Sequence, residues 1–220
     1  MIKAILRSKK LISRNEGSKA YPLNEENLPA GNGTPESLLD IIEFLNVEKS
    51  ERYKRKEISG KVVSTYCNIY TYDFCYLAGA YMPRVWWYEK ALNLMEKGFN
   101  VEAKYGETVY EINANGLYDW FNNYGNAFGW QKQNDLKEAQ DLANKGQIVI
   151  IVAKQKIATR SGHICVIAPE HQGNKARNIN KHFLPLLSQA GIVNKKYFVD
   201  NWYTSPKYIG YNIYSFNNSK

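Results

Sequence analysis

Apolar residues first fall into a regular pattern at Leu38, Leu39, Ile41, Ile42 and Leu45, which share one face at helical spacing. Thr34 followed by Pro35 supplies an N-cap and a proline at the first helical position, so a helix is expected from there to about Asn46. The charged stretch Glu48 to Lys56 predicts the start of a second helix, broken at Gly60. From Cys67 to Ala78 the residues Cys67, Tyr70, Thr71, Phe74, Cys75 and Ala78 form another helical face, which Gly79 stops. Pro83-Arg84-Val85-Trp86-Trp87 reads as a loop or turn. Further helices are expected over Glu89 to Lys97, Leu117 to Tyr124 and Asp135 to Ala143.

After Gly146 the period changes. Gln147 to Ala153 and His163 to Ala168 are β-rich apolar runs separated by a polar loop, and Phe183 to Ser188 and Tyr208 to Phe216 are two more strand candidates. Helices followed by an antiparallel sheet place the chain in the α+β class. Residues 1–33 are polar and end in the turn-rich Pro29-Ala30-Gly31-Asn32-Gly33, so they read as a loosely attached lead-in to a domain spanning 34–220.

Composition narrows the function classes. A hydrophobic fraction of 44% in 220 residues is enough for one real core. The 17 Tyr and 5 Trp exceed what a minimal core needs and suggest an aromatic-lined cleft, with Trp86 and Trp87 as candidate walls. A net charge of +8 favours polyanionic surroundings such as nucleic acid, anionic lipid or cell-wall carboxylates. The basic residues are scattered in short clusters (Arg7 to Lys10, Arg52 to Lys56, Lys195–Lys196), with no arginine-rich arm, zinc-finger spacing or RNP-like strand, so nucleic acid is not the expected partner. Three cysteines without a CxxC pair do not make a disulfide framework. The three histidines lack metal-ligand spacing, and neither a metal nor an organic cofactor is expected. No apolar run has the length of a signal peptide or a membrane span, so the chain reads as soluble, without a Sec signal and cytoplasmic as made.

The chemistry centres on Cys67 and His163. A thiol reacts as its thiolate, which a helix N-terminus stabilises through free N–H groups, and Cys67 opens its helix. An adjacent imidazole would lower the thiol pKa further by forming an ion pair. His163 begins a strand after Ser161-Gly162, and alternation puts His163, Cys165 and Ile167 on one face, which a packing helix could use to bring imidazole to thiol. Each residue alone is more readily a packed structural one. Cys75 in mid-helix and Cys165 in mid-strand read as packing.

The segments YCNIYTYDFCYLAGA (Tyr66 to Ala80) and GHICVIAPE (Gly162 to Glu170) resemble the nucleophile helix and the Gly-His-hydrophobic strand of CHAP and NlpC-type peptidoglycan hydrolases. The intervening GLYDWFNNYGNAFGW and AQDLANKGQIVIIVA are similar to bacterial cell-wall amidases, and the likeness covers roughly residues 34–190. It implies a papain-like cysteine hydrolase fold, a Cys67–His163 dyad, and a peptidoglycan substrate cut as an amidase or stem-peptide endopeptidase. A third polar residue in such proteins orients the imidazole from the next strand. PLLSQAG (Pro185 to Gly191) resembles that strand and makes Gln189 the first choice, with Glu170 the runner-up; the sequence departs here from the commonest Glu or His. For the oxyanion the Cys67 N–H is the natural donor, with the Tyr66 hydroxyl or Asn68 as the second. Asp73 points away from the Cys67 face and reads as structural or as binding the N-terminal loop. With no Sec signal, a phage lysin or an injected antibacterial effector with a cognate immunity protein is the expected setting. A non-catalytic module on a degenerate hydrolase fold, or a protease of protein substrates, are the alternatives.

Overall fold

The computed structural model describes residues 2–6, 12–15 and 20–218. Helix α1 (Pro35–Leu45) starts as its sequence requires: Thr34 Oγ1 accepts from the Ser37 N–H, and Asn46 closes the helix in the left-handed conformation. The second helix expected after it does not form. Only a short 3-10 turn, Glu51–Tyr53, appears, followed by an exposed hairpin of β1 (Lys56–Ile58) and β2 (Lys61–Ser64). Helix α2 (Cys67–Leu77) comes next, then β3 (Val85–Trp87), α3 (Glu89–Glu96), β4 (Val109–Glu111), α4 (Ala114–Tyr124), β5 (Trp130–Gln133) and α5 (Leu136–Asn144). The remainder is β6 (Ile148–Gln155), β7 (His163–Ile167), β8 (Arg177–Ile179), β9 (His182–Leu184), β10 (Leu186–Gln189), β11 (Lys195–Val199) and β12 (Tyr208–Phe216).

The fold is mixed α and β around a six-stranded sheet in the order β11-β10-β7-β6-β12-β5, antiparallel throughout. Alternation along the strands gives the sheet two buried faces. Ile148, Ile150, Val152, Ile164 and Val166 pack with residues of α1, α2 and α4, while Val149, Ile151, Cys165, Ile167 and Leu187 pack with α5. Burial on both sides is why the β6 run is almost continuously apolar. The expected strand Phe183 to Ser188 is two strands, divided at Pro185, which has no N–H to give to a ladder. The segment Pro83 to Trp87, expected as a loop, ends in β3, which pairs with β4.

Helix α2 is buried nearly all round; only Asn68 and Tyr76 escape full burial. That environment encloses Asp73, which is inaccessible to solvent, as is Arg52. Arg52 Nε donates to Asp73 Oδ2 at 2.6 Å and Nη2 to Oδ1 at 3.0 Å, while the Tyr53 hydroxyl donates to Oδ2 at 2.9 Å. Arg52 Nη2 also donates to the Tyr21 carbonyl at 2.9 Å, so the reading of Asp73 as a structural residue toward the N-terminal segment agrees with its contacts. The described residues of that segment are not loosely attached. Ala4, Leu6, Ile12 and Leu23 are buried, Trp87 Nε1 donates to the Ile2 carbonyl, and the backbone at Gly31 lies so close to Ala78 that a Cβ would stand 2.8 Å from its Cα. The basic run Arg7 to Lys10 lies outside the described residues.

A buried charge left without its partner carries the full cost of desolvation. Asp73→Ala should therefore destabilise the protein by about 3–5 kcal/mol in urea melts. The double replacement Arg52→Met with Asp73→Leu should recover most of that loss. A double variant as unstable as the single one would show that the pair does not act as a unit.

Candidate functional site

Helix α2 begins without a side-chain cap: Tyr66 is its N-cap residue and makes no capping bond. The Ile69 and Tyr70 amides turn back to the Tyr66 carbonyl, but the amides of Cys67 and Asn68 act on the Cys67 sulfur and favour its anion. The Ile164 amide acts on the same sulfur from the strand side. Pairing of β10 with β7 runs through Leu187↔Ile167 and Ser188↔Val166, so Ile164 lies two residues beyond that ladder, where the α2 N-terminus meets the sheet. Since the Ile164 nitrogen is bonded to the His163 carbonyl carbon, the thiol stands beside the residue that carries the imidazole.

The imidazole is held by Gln189. His163 Nε2 and Gln189 Oε1 are 2.6 Å apart, and Gln189 Nε2 donates to the Val193 carbonyl at 3.2 Å. The second bond fixes the first, because only the NH2 group can donate to a carbonyl, which turns the amide oxygen toward histidine. An amide oxygen only accepts, so Nε2 carries the proton and Nδ1 keeps its lone pair. Glycines flank this arrangement in space. A Cβ at Gly162 would lie 2.3 Å from the Ala153 carbonyl oxygen and 2.6 Å from Asn115 Oδ1, and one at Gly191 would come within 3.5 Å of His163 Cε1. Close approach is thus what requires glycine before His163.

The geometry corrects the expected route between the two residues. Cys67 clusters with Ile164 and Val166, whereas Cys165 and Ile167, which alternate in phase with His163, face the α5 side. Helix α2 therefore packs on the face opposite the one expected. Its first residue meets the backbone of Ile164, next to His163 in the chain, beyond the end of the β10 ladder.

On the α5 side Trp202, in the 3-10 turn Trp202–Thr204, meets the His163 ring edge-on with centroids 4.4 Å apart. Sequence reasoning missed Trp202, because nothing in its local pattern ties it to a strand so far back in the chain.

Electrostatics also differ from expectation. Burial pushes the Cys67 thiol up to about 11, more than the three amides lower it, and Cys67 is only 4% exposed. Burial pushes His163 down to about 4, against the opposing effects of Gln189 and Asp200, and Lys207 adds to the fall. Both shifts favour the uncharged thiol and imidazole over the expected thiolate–imidazolium pair.

The other candidates separate clearly. Glu170 is committed elsewhere, its oxygens accepting from Asn144 Nδ2 and the Ala176 amide, each at 2.9 Å, beyond the far end of β7 from His163. Asn68 Nδ2 donates one of its two hydrogens to the Ile112 carbonyl at 2.9 Å. Tyr66 is half-buried, and among the described residues its hydroxyl makes no hydrogen bond. Trp86 and Trp87 are 4% and 3% exposed, so they are not walls of an open groove; Trp86 packs on Trp120, Tyr124 and Phe128 in an aromatic core. Cys75 and Cys165 are buried free thiols. Among the described residues no cluster of three or more His, Cys, Asp or Glu could hold a metal ion, and no helix is long and apolar enough to cross a membrane.

Compared with models of protein families, the chain matches none. Compared with curated proteins, it matches none either.

The His163 pKa has a consequence for stability. Its folded value, about 4, lies below the ordinary 6.5, so folding favours the neutral ring. That contribution is complete above pH 6.5 and is lost as the pH falls toward 4. Stability should drop over this window by on the order of 3 kcal/mol at most, and His163→Gln should flatten the drop. Chemical denaturation across that range measures it, and an unchanged slope in the variant would reject the assignment.

Proposed function

We propose that this chain is a papain-like cysteine amide hydrolase acting on bacterial peptidoglycan, with Cys67 as nucleophile, His163 as base and acid, and Gln189 as the residue that orients the imidazole. The observation that carries the reading is the 2.6 Å bond from His163 to Gln189 beside a cysteine at an uncapped helix N-terminus. Such a bond sets the tautomer that a base needs, with a lone pair left on Nδ1. A neutral pair then reacts by concerted transfer: the Cys67 proton moves to His163 as the sulfur attacks the amide carbonyl. His163 returns that proton to the leaving amine, leaving a thioester on Cys67. Water, deprotonated by His163, releases the carboxylic acid and regenerates the thiol. Amides at the α2 N-terminus, that of Cys67 first, are the donors for the oxyanion.

The substrate class rests on the resemblance of the Cys67 and His163 segments to CHAP and NlpC-type wall hydrolases and on the net charge of +8, which suits an anionic wall. Delivery as an effector or a phage lysin, with an immunity protein in the first case, belongs to the same proposal. Digestion of purified sacculi, read by mass spectrometry of the muropeptides, tests it. Wild-type protein should release new amine or stem termini, and Cys67→Ala should release none. Identical profiles from the two proteins would sink the reading.

Gln189 has its own test. Gln189→Ala should lower kcat by about 10- to 100-fold, and Gln189→Asn should not restore it, since the shorter side chain falls short of Nε2. Full activity in Gln189→Ala would remove Gln189 from the mechanism.

The near-complete burial of Cys67 favours a second reading, a binding module in which the thiol is packed and unreactive. Iodoacetamide separates the two. Labelling of Cys67 at neutral pH that is lost in His163→Ala supports the enzyme, whereas no labelling of the native protein supports the module.

A further inference from the structure

The side-chain amide of Gln189 has two ways to face His163, and only one of them serves a base. With its oxygen toward the ring, His163 Nε2 donates and Nδ1 keeps its lone pair. With its NH2 group toward the ring, Nε2 must accept and the proton sits on Nδ1 instead. The bond that selects the first orientation is the one from Gln189 Nε2 to the Val193 carbonyl. Val193 is 54% exposed and belongs to the connection between β10 and β11, so its carbonyl is useful only if that connection is held still.

Asn194 holds it. Its backbone nitrogen is bonded to the Val193 carbonyl carbon, and its side chain bonds in three directions. Asn194 Oδ1 accepts from the Gly191 amide at 3.0 Å, which closes the turn. Asn194 Nδ2 donates to the Val47 carbonyl at 2.9 Å and to the Tyr53 carbonyl at 3.0 Å. Gly191 packs on the pair it supports, since a Cβ there would stand 3.3 Å from Gln189 Nε2 and 3.5 Å from His163 Cε1. Tyr53 is the residue whose hydroxyl donates to Asp73 in α2. One amide side chain therefore joins the turn that aims Gln189 to the anchor of the helix that opens with Cys67. Arg55 also donates to the Ile192 carbonyl, but from the surface, where it is shared with Glu57 and water competes.

We propose that Asn194 is a positioning residue for the Cys67–His163 site, an assignment that rests on His163 being the base. By fixing the Val193 carbonyl it sets the orientation of the Gln189 amide and, through that amide, the tautomer of His163.

Histidine nitrogen-15 spectra at neutral pH read the tautomer directly and need no substrate. Wild type should show His163 protonated at Nε2, its signals identified by their loss in His163→Gln. In Asn194→Ala the Gln189 amide is free to turn, and His163 should become a mixture of Nε2–H and Nδ1–H forms in a protein whose dispersed amide spectrum shows it folded. On sacculi kcat should fall by about tenfold with KM little changed. Asn194→Ser, which keeps one donor for the two carbonyls and disturbs the fold less, should show the same mixture to a smaller degree. Gln189→Glu in the Asn194→Ala background is the deciding arm. A carboxylate only accepts, so it should restore the proton to Nε2 in either orientation and bring back most of the rate; a role confined to holding the turn predicts no such rescue. A single Nε2–H form in Asn194→Ala and Asn194→Ser, or a mixture that Gln189→Glu leaves unchanged, overturns the proposal. If wild type leaves sacculi uncut while the tautomer follows Asn194 and Gln189 as stated, the hydrolase reading fails and the control of the imidazole by Asn194 stands.

Discussion

The arrangement of the candidate site depends on the buried ion pair between Arg52 and Asp73. A helix enclosed on nearly every side cannot hold a carboxylate unless something neutralises it, and Arg52 and Tyr53 do so from the turn just before the β1–β2 hairpin. This pairing sets the position and rotation of α2. Tyr70, one turn back, stacks edge-on against Tyr53 and shares a 2.5 Å hydrogen bond with Ser188 on β10. Through these contacts the helix that opens with Cys67 is registered against the strand that ends with Gln189. The same guanidinium bonds the Tyr21 carbonyl and so ties the N-terminal segment to the helix.

From that anchor the site follows with few free choices. The β10 ladder stops at Val166, α2 begins with Cys67 beside Ile164, and Gly162 allows the close approach to the Ala153 carbonyl that precedes His163. Gln189 is bound from one side by Val193 and binds His163 on the other, so the imidazole is held in one orientation. Trp202 closes over the ring. The cost of this enclosure is electrostatic. Burial pushes the Cys67 thiol up and the His163 imidazole down, so each favours its uncharged form.

Much of this was legible in the residues. The boundaries of α1, of α2 and of β12 followed from caps, glycines and alternation, because those signals are local and act within a turn or two of the chain. Cys67 at a helix start and His163 at a strand start were readable for the same reason. Gln189 was also reachable, though only through the resemblance of its strand. The expected helix after Asn46 failed because propensity over a few charged residues is weak beside the demand that Arg52 turn inward to Asp73. Strands β3, β4, β5 and β11 escaped notice because three or four paired residues leave little periodicity.

What the sequence determined by itself was the order of elements, the helix and strand starts, and the residue types able to do cysteine chemistry. Each of these comes from short-range constraints: a cap, a glycine or an apolar period. Tertiary structure alone decided which polar groups pair. It gave Gln189 and not Glu170 to His163, sent Asn68 to a carbonyl, took Trp86 and Trp87 into the core, and brought Trp202 to the imidazole. It also decided the protonation of the site, since burial is a property of everything packed around a residue and cannot be read from its neighbours in the chain.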